Sequence, residues 1–406
     1  MTPTLNLSNK NLYQPSLFIN NEFVPASGED FDVLDPATGQ TWATLASATA
    51  ADAERAVDAA HDAFHGSAWR SLTARERARL LLEWDRLIRA NKADLAQLLV
   101  FETGKPLREA EGEVDYALTF CWWMAGEAER QHGSIANGNG PGPSANNRFL
   151  VTKYPIGVVA TLTPWNFPIN QVVRKLPVAI AAGCTMVVKP AQQTPLTALA
   201  LAVLAEEAGV PAGVFHVITG SSREIGAALC ESDVVRKLSF TGSTEVGRTL
   251  MEQCAPTIKK LSLELGGNAP FIVFDDADLD RAVEGAMLSK FRNNGQTCVC
   301  ANRIYVQAGV YDNFAEKLAQ AVAKTKVGDG LSEPVQFGPL VNVNAVEKVE
   351  EHIADATAKG AVVALGGKRH ALGGSFFQPT ILTNVTSEMI VSSEETFGPL
   401  APLFRF

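Results

Sequence analysis

Short apolar strand patterns alternate with helical patterns from residue 156 onward, and this alternation constrains the fold more than any other feature. The segments IGVVATL, CTMVVK, VFHVIT and VRKLSF are rich in apolar residues, and a helical pattern follows each of them. The first of these predicted helices runs from about Ile169 to Ala182. Because strands joined by helical crossovers run parallel, the pattern predicts an α/β fold with a mostly parallel sheet. Ligands of such sheets bind beyond the carboxyl ends of the strands.

The regions on either side of this block predict further helices and a second α/β unit. Residues 50–131 repeat apolar residues at three- and four-residue spacing, which is typical of helices. After Gly266, the strand patterns APFIVF and RIYVQ alternate with predicted helices, so we expect a cleft between two units near LELGG. The segment GSIANGNGPGPSANN, at residues 133–147, is a predicted loop. A hairpin arm and a plain surface linker fit its composition equally well.

Charge and hydropathy exclude several classes of partner. The chain of 406 residues has a net charge of −9, which argues against binding a nucleic-acid backbone. No window approaches the roughly 18 apolar residues of a membrane span, and the N-terminus lacks a signal-peptide pattern. The six cysteines are too sparse for a disulfide scaffold. We therefore expect a cytoplasmic protein with no nucleic-acid or membrane partner.

Several residues at predicted strand ends could take part in binding or catalysis. In TPWNFP, Asn166 offers an amide donor for a developing oxyanion, or acts as an ordinary turn residue. Lys189, at the end of a strand, could contact ribose or phosphate, although most such lysines are solvated. In SFTGSTEVG, Gly242 and Gly247 flank a helix start that could bind phosphate, but an ordinary turn explains them as well.

Two further residues could carry covalent chemistry. Glu264 lies in an otherwise apolar strand pattern, just before two glycines, so we expect a desolvated carboxyl group with a raised pKa, suited to act as a base. A salt-bridged glutamate at a strand end is the alternative. Cys298, in KFRNNGQTCVCANR, could be a nucleophile on a loop or an inert buried thiol. Metal binding is disfavoured, because no histidine or second cysteine pair lies at ligand spacing.

Six ordered segments, TPWNFP, VVKPA, FTGSTEVG, LELGG, GQTC and EETFGP, resemble the aldehyde dehydrogenase superfamily. Within it, FRNNGQTCVCANR and EETFGPLAPLFRF are most similar to the bacterial succinate-semialdehyde dehydrogenases. The resemblance implies a Rossmann-like cofactor domain (1–131 and 153–265), an oligomerisation hairpin (132–152) and a catalytic domain (266–406). Family members continue beyond EETFGP, so we expect a C-terminally truncated chain. The full-length chain is expected to form a homodimer or homotetramer.

The resemblance also implies residue roles. Cys298 would attack an aldehyde, Asn166 would hold the oxyanion and Glu264 would activate water to hydrolyse a thioester. The implied cofactor residues are Thr163, Pro164, Trp165, Asn166, Lys189, Gln192, Phe240, Thr241, Gly242, Ser243, Val246, Glu264, Leu265, Glu395 and Phe397. Because Gln192 is neutral and would not repel a 2′-phosphate, we expect NADP with NAD tolerated.

The same resemblance suggests a substrate with a distal carboxylate, because Arg174 and Arg292 match arginines that bind one in the semialdehyde enzymes. Structural ion pairs are the alternative for both. Cys300 is a candidate redox partner of Cys298. We therefore expect NAD(P)-dependent oxidation of succinate semialdehyde to succinate. Another semialdehyde or an uncharged aldehyde, a cofactor-free cysteine hydrolase, and an inactive fragment with a binding role are the alternatives.

Overall fold

The computed structural model describes residues 5–139, 142–332 and 334–406. The strands are β1 Leu17–Ile19, β2 Glu22–Val24, β3 Phe31–Leu34, β4 Thr41–Leu45, β5 Ser134–Asn137, β6 Arg148–Val151, β7 Val158–Leu162, β8 Thr185–Lys189, β9 Phe215–Val217, β10 Val235–Thr241, β11 Lys260–Glu264, β12 Ala269–Val273, β13 Ala301–Val306, β14 Val362–Leu365, β15 Thr380–Val385 and β16 Leu400–Arg405. The helices are α1 Ala50–His65, α2 Ser67–Arg70, α3 Ala74–Ala90, α4 Lys92–Thr103, α5 Leu107–Ala128, α6 Pro168–Val173, α7 Leu176–Ala182, α8 Leu196–Glu207, α9 Ser222–Glu231, α10 Thr244–Cys254, α11 Leu279–Phe291, α12 Tyr311–Ala323 and α13 Val343–Ala358.

A seven-stranded sheet in the order β11-β10-β7-β8-β9-β1-β2 positions most of the candidate residues. Its first five strands run parallel, whereas β1 pairs antiparallel with β9 and β2. Strands β7, β8 and β9 are buried throughout, because helices cover both faces of a doubly wound sheet. The mixed α/β architecture agrees with the prediction.

The register of this sheet brings the predicted strand ends together at one edge. Leu162 lies opposite Lys189 in the β7–β8 pair, and Thr241 lies opposite Glu264 in the β10–β11 pair. Parallel strands end on the same side, so the segment that begins at Thr163 shares this edge with the ends of β8, β10 and β11. The shared edge of strand ends expected from the strand pattern is therefore present.

A second sheet, in the order β12-β13-β16-β15-β14, forms the core of the C-terminal half. Strands β12, β13, β16 and β15 are parallel, and β14 is antiparallel to β15. One cluster of buried apolar residues includes Ile304 and Phe314, and a second includes Val346 and Leu400. The hairpin β5–β6 pairs Ser134 with Val151, and residues 140 and 141 of the predicted loop lie outside the described chain.

The single helix expected over 169–182 is wrong, because two short helices, α6 and α7, occupy this segment. Pro177 lies at the start of α7 and has no N–H to donate to the carbonyl of Val173, so the first helix ends there. Arg174 and Lys175 therefore lie at the junction between the two helices. Among the helices of the described residues, none has the length and apolar character needed to cross a membrane.

Candidate active site

Unusual backbone conformations shape the loop that precedes Cys298. Asn293 and Asn294 have positive φ angles of 51° and 56°, and Gly295 follows at 73°. Asparagine tolerates the left-handed region better than other side chains. A Cβ on Gly295 would lie 2.1 Å from the carbonyl oxygen of Gly398, so only glycine fits there. The Asn-Asn-Gly sequence thus permits the tight turn that presents Cys298.

Side-chain amides in the same loop anchor it to the C-terminal half of the chain. Asn294 Nδ2 donates to the carbonyl oxygens of Gly338 and Pro339 at 2.6 and 2.8 Å. Gln296 Oε1 accepts from the Val341 N–H at 3.0 Å. Buried polar groups with several partners hold one conformation, so this loop is pre-organised before any ligand binds.

Cys298 is half-buried and lines a cavity of about 270 Å³. The cavity is formed by Glu109, Gly112, Glu113, Tyr116, Phe167, Asn170, Gln171, Arg174, Arg292, Thr297, Cys298 and Val299. Burial raises the pKa of the Cys298 thiol, the Glu395 carboxylate raises it further, and the Arg174 guanidinium opposes them. Cys298 is therefore not fully buried, in contrast to the alternative of a buried core cysteine.

Asn166 is buried beside the Cys298 loop. Its Nδ2 donates to the Gln296 carbonyl oxygen at 3.1 Å, two residues before the cysteine. One hydrogen of this amide remains for another acceptor. The backbone oxygen of Asn166 accepts from Lys105 Nζ at 2.8 Å and from Asn293 Nδ2 at 3.0 Å. Asn166 thus contacts the cysteine loop through both its side chain and its backbone.

Arg174 and Arg292 lie in the same cavity as Cys298. Arg174 is half-buried over the ring of Phe120 at 5.2 Å, and Arg292 is exposed over the ring of Phe167 at 5.3 Å. Neither guanidinium forms a salt bridge with a carboxylate in the described part of the chain. The alternative of structural ion pairs therefore finds no support here, and both cations are available to an anion in the cavity.

The expectation of a desolvated Glu264 is wrong. Strand β11 is the edge strand of its sheet, its burial alternates, and the Glu264 side chain is exposed. Nor does Glu264 form a salt bridge within the described residues. It lines a second cavity of about 350 Å³ together with Lys175 and Arg174. Because Arg174 also lines the cavity of Cys298, the two cavities lie side by side.

Lys189 is buried, in contrast to the solvated alternative, and its Nζ donates to the hydroxyl of Ser222 at the start of α9. Burial lowers the pKa of Lys189 to about 7. Its backbone carbonyl accepts from the Thr163 N–H at 3.1 Å, which joins the end of β8 to the segment after β7. Gln192, three residues after Lys189, is exposed. Lys189 and Gln192 therefore lie at the carboxyl end of β8, the side of a parallel sheet where ligands bind.

The turn after β10 leads into the N-terminus of α10. Ser243 caps this helix and accepts from the Val246 N–H at 3.3 Å. The Gly242 N–H donates to the Glu264 carbonyl oxygen at 3.0 Å, which ties the turn to β11. A Cβ on Gly247 would lie 2.6 Å from Leu265, so glycine permits close packing of the helix. Before the turn, Phe240 and Thr241 are buried.

Residues near the C-terminus complete this edge. Burial raises the pKa of the Glu395 carboxyl, and the Gly267 N–H opposes this rise. Glu395 Oε1 is buried without a hydrogen-bond partner among the described residues. The rings of Trp165 and Phe397 meet edge to face with centroids 5.5 Å apart, and the half-buried Pro164 precedes Trp165. A buried carboxylate oxygen without a protein partner can accept a hydrogen bond from a ligand hydroxyl.

Cys300 is buried and does not line the cavity of Cys298. Its Sγ lies 3.4 Å from the Lys290 carbonyl oxygen and 3.6 Å from that of Gly295. Both Cys298 and Cys300 are free thiols. A disulfide between them would require Cys300 to leave these partners, so the redox pairing stays a prediction. In the described residues, no cluster of metal-ligating side chains has the arrangement of a metal site.

Sequence reasoning missed three residues around the cavity. Lys105, Glu109 and Glu113 lie in the turn before α5 and on its first two turns. The spacing of Glu109 and Glu113 by four residues on one predicted helix face was a usable signal, because it places two carboxyl groups together. The position of Lys105 in the sequence does not indicate that it lies close to the segments that begin at residues 163 and 292.

The chain matches the model of the aldehyde dehydrogenase family over residues 23–406. It is 59% identical to a 3-sulfolactaldehyde dehydrogenase of Pseudomonas putida and 58% identical to the NADP(+) succinate-semialdehyde dehydrogenase GabD of Escherichia coli strain K12. Both similarities cover 99% of this chain and 82% of the relative. A glutarate-semialdehyde dehydrogenase of Pseudomonas aeruginosa is 56% identical over the same shares of the two chains.

Solved structures agree with this relationship. The crystal structure of an Escherichia coli NADP-dependent enzyme superposes with a TM-score of 0.95 at 58% identity, covering 99% of this chain and 82% of that one. A succinate-semialdehyde dehydrogenase from Burkholderia pseudomallei gives the same TM-score at 55% identity, with the same coverage. The chain therefore belongs to the aldehyde dehydrogenase family.

Proposed function

We propose that the protein oxidises an aldehyde with a distal anionic group to the carboxylate, and that succinate semialdehyde is its substrate. The observation that carries this proposal is the shared cavity of Cys298, Arg174 and Arg292. A cavity of about 270 Å³ is small, so a short aldehyde at the sulfur would bring its far end close to a guanidinium. Guanidinium groups bind carboxylates through two parallel hydrogen bonds.

The substrates named for the relatives support a class of substrate, short aldehydes with a distal anionic group, more strongly than they support any one aldehyde. Succinate semialdehyde and glutarate semialdehyde each carry a carboxylate, and 3-sulfolactaldehyde carries a sulfonate. All three are short aldehydes with an anion at the opposite end. Two free arginines fit this shared chemistry, and the relative rates of the three substrates decide among them.

Cys298 acts as the nucleophile in this mechanism. Its sulfur attacks the aldehyde carbon, and the carbonyl oxygen gains negative charge. The free amide hydrogen of Asn166 and the Cys298 backbone N–H are the donors for that oxygen. Because the pKa of the thiol is raised, Cys298 gives up its proton as the sulfur attacks rather than beforehand, and Glu264 in the neighbouring cavity is the proposed acceptor. Arg174 favours the thiolate and so assists the attack.

Glu264 acts as the base of the second half-reaction. Oxidation of the tetrahedral adduct leaves a thioester on Cys298, which water must hydrolyse. Glu264 lines the neighbouring cavity, which shares Arg174 with the cavity of Cys298. Its exposure keeps it in contact with bulk water, so it can accept a proton and release it.

A nicotinamide dinucleotide, bound at the carboxyl edge of the first sheet, supplies the hydride acceptor. The buried, unpaired Oε1 of Glu395 fits a ribose hydroxyl, and the N-terminus of α10 beside Gly242 and Ser243 fits a pyrophosphate. Lys189 fits the adenosine ribose or a phosphate on it. Gln192 carries no charge that would repel a 2′-phosphate, so we propose NADP as the preferred cofactor and NAD as a weaker one.

An absorbance assay at the reduced-nicotinamide band tests the function. Purified protein is given succinate semialdehyde, glutarate semialdehyde, 3-sulfolactaldehyde or butanal, each with NADP and with NAD. We expect turnover of the anionic aldehydes with NADP, little turnover of butanal, and none with Cys298→Ala. Equal efficiency on butanal would refute the anionic class, and a strong NAD preference would refute the cofactor assignment.

The rival reading as a cofactor-free cysteine hydrolase makes a different prediction. A hydrolase would cleave an activated ester at a rate independent of the nicotinamide cofactor, and it would leave aldehydes unchanged. We expect instead that aldehyde consumption stops when the cofactor is omitted. Product analysis with and without NADP separates the two.

We also propose that the protein associates with copies of itself through the β5–β6 hairpin. The hairpin exposes Ile135, Phe149 and Leu150, which are 72%, 53% and 73% accessible. Contiguous apolar groups on a surface are typical of interaction sites. Light scattering on the wild type and on Ile135→Asp/Leu150→Asp tests this, and an unchanged mass would refute it.

A further inference from the structure

A buried ion pair between Lys105 and Glu113 lies behind the segment that carries Asn166. Lys105 is in the turn between α4 and α5, Glu113 is on α5, and neither side chain is exposed. The Nζ–Oε2 distance is 2.5 Å. Two charges taken out of water are costly unless further hydrogen bonds satisfy them, so their other partners show what the pair can do.

Lys105 uses its remaining hydrogen-bonding capacity on the Asn166 segment. Its Nζ donates to the Asn166 carbonyl oxygen at 2.8 Å and lies 4.3 Å from the centre of the Phe167 ring. The ammonium group thus contacts Glu113, Asn166 and Phe167 at once. A charge-assisted hydrogen bond in a buried site fixes its acceptor more firmly than a neutral one.

Glu113 fixes the other end of the same segment. Its Oε1 accepts from the Asn170 N–H at 3.1 Å, at the start of α6. The segment from Asn166 to Asn170 is therefore held at both ends by one ion pair. Within it lies Phe167, which lines the cavity of Cys298.

The same contacts extend to the cysteine loop. The Asn166 carbonyl oxygen, besides binding Lys105, accepts from Asn293 Nδ2 at 3.0 Å. Glu109, one helical turn before Glu113, accepts from the Asn293 N–H at 2.8 Å. The α5 helix therefore holds both the Asn166 segment and the loop before Cys298, and it sets the spacing between them.

We propose that Lys105 and Glu113 are positioning residues that fix the distance between the Asn166 amide and the Cys298 sulfur. The inference rests on the proposed role of Asn166 as an oxyanion donor. A donor acts only if it lies about 3 Å from the position of the oxyanion, and a displacement near 1 Å can cost roughly 100-fold in rate. Neither Lys105 nor Glu113 touches the reacting atoms, so their contribution passes through Asn166.

The test is a mutant cycle measured with succinate semialdehyde and, in parallel, with butanal. Lys105→Met/Glu113→Gln removes both charges together, so neither is left buried alone. We expect kcat to fall about 10- to 100-fold with the KM for aldehyde changed less than about 3-fold, because oxyanion contacts form only in the transition state. In an Asn166→Ala background, the same double substitution should change kcat less than about 3-fold.

Lys92→Met/Asp115→Asn is the matched control. This ion pair joins α4 to α5, with Nζ and Oδ2 2.6 Å apart, but it is partly exposed and neither residue lines the cavity of Cys298. We expect it to leave kcat unchanged. Iodoacetamide labelling of Cys298 should proceed within about twofold of the wild-type rate in the Lys105→Met/Glu113→Gln variant, since the effect is on Asn166 and not on the thiol.

Three outcomes overturn the proposal: an unchanged kcat, losses that multiply with Asn166→Ala, or a fall in labelling that matches the fall in kcat. If the double variant does not fold, Glu113→Asp decides, because it keeps both buried charges and shortens by one methylene the side chain that reaches Lys105 and Asn170. A lower kcat at constant KM supports the proposal there, and an unchanged kcat overturns it. Wild-type activity on butanal without activity on succinate semialdehyde would refute the substrate proposal. The mutant cycle could still be measured with butanal. Full activity of Asn166→Ala would refute the oxyanion role itself.

Discussion

Replacing Arg174 with glutamine tests how the protein selects its substrate. Arg174 is half-buried, has no carboxylate partner among the described residues and lines the cavity of Cys298. A hydrogen bond to a charged partner contributes about 1.5–3 kcal/mol, which corresponds to roughly 10- to 150-fold. We therefore expect kcat/KM for succinate semialdehyde to fall by about that factor. For Arg292→Gln, kcat/KM should fall by a factor near the lower end of this range, because Arg292 is exposed to solvent.

Arg174 has a second effect that the assay must separate. Its charge opposes the rise in the pKa of the Cys298 thiol, so its removal also slows attack on any aldehyde. The ratio of kcat/KM for succinate semialdehyde to that for butanal isolates the carboxylate contact, because the thiol effect is common to both. The ratio is measured with NADP at saturation and at constant ionic strength.

An equal loss on both substrates would refute the carboxylate-binding role. In that case Arg174 would act only on the thiol. Arg248→Gln serves as a control, since Arg248 is exposed on α10 outside the cavity and should leave the ratio unchanged. A loss of the same size in this control would show that the overall field of the protein, and not a local contact, attracts the anion.

Further predictions concern single groups. Because burial and Glu395 raise the pKa of Cys298, its alkylation rate should keep rising above pH 8.5, and Glu395→Gln should speed alkylation at pH 7.5. Gln192→Glu should shift the ratio of kcat/KM towards NAD, and an unchanged ratio would contradict the proposed contact. Peroxide inactivation that dithiothreitol reverses, and that is lost in Cys300→Ala, would support the redox pairing, whereas inactivation in Cys300→Ala would refute it. Burial lowers the pKa of His216 to about 4, below its unfolded value, so the unfolded state takes up the proton first. The free energy of unfolding should therefore fall by about 3 kcal/mol as pH drops from 6.5 to 4. In His216→Gln, the free energy of unfolding measured with denaturant should not show this fall.

The order of the elements could be read from the sequence because local patterns determine them. Strands β7 and β8 are short, largely apolar runs, and each of the four strands predicted between residues 156 and 240 has its counterpart in the sheet. The junction at Arg174 and Lys175 was missed, although Pro177 was a visible signal for it. Hydrophobic periodicity continues across such a break, so the pattern alone does not show it.

The environment of Glu264 could not be predicted, because it depends on the position of β11 in the sheet. The alternation of polar and apolar residues in KLSLEL was a signal for one exposed face, whereas the edge position of β11, where Glu264 is exposed, depends on the strand order. Strand order is a tertiary property, and one residue type meets different surroundings at an edge and in the centre. The expectation of desolvation assumed a central strand.

The placement of Cys298 shows most clearly what local sequence cannot supply. The Asn-Asn-Gly run indicates a tight turn, and the cysteine indicates chemistry, but the turn is held by residues far along the chain. Glu109 binds the Asn293 N–H across 184 positions, and Asn294 binds the Gly338 carbonyl across 44. Each contact depends on the relative positions of two separately folded elements. A motif therefore identifies the residue that reacts. The distance from that residue to the groups that act on it is set by helix α5 and the second sheet together.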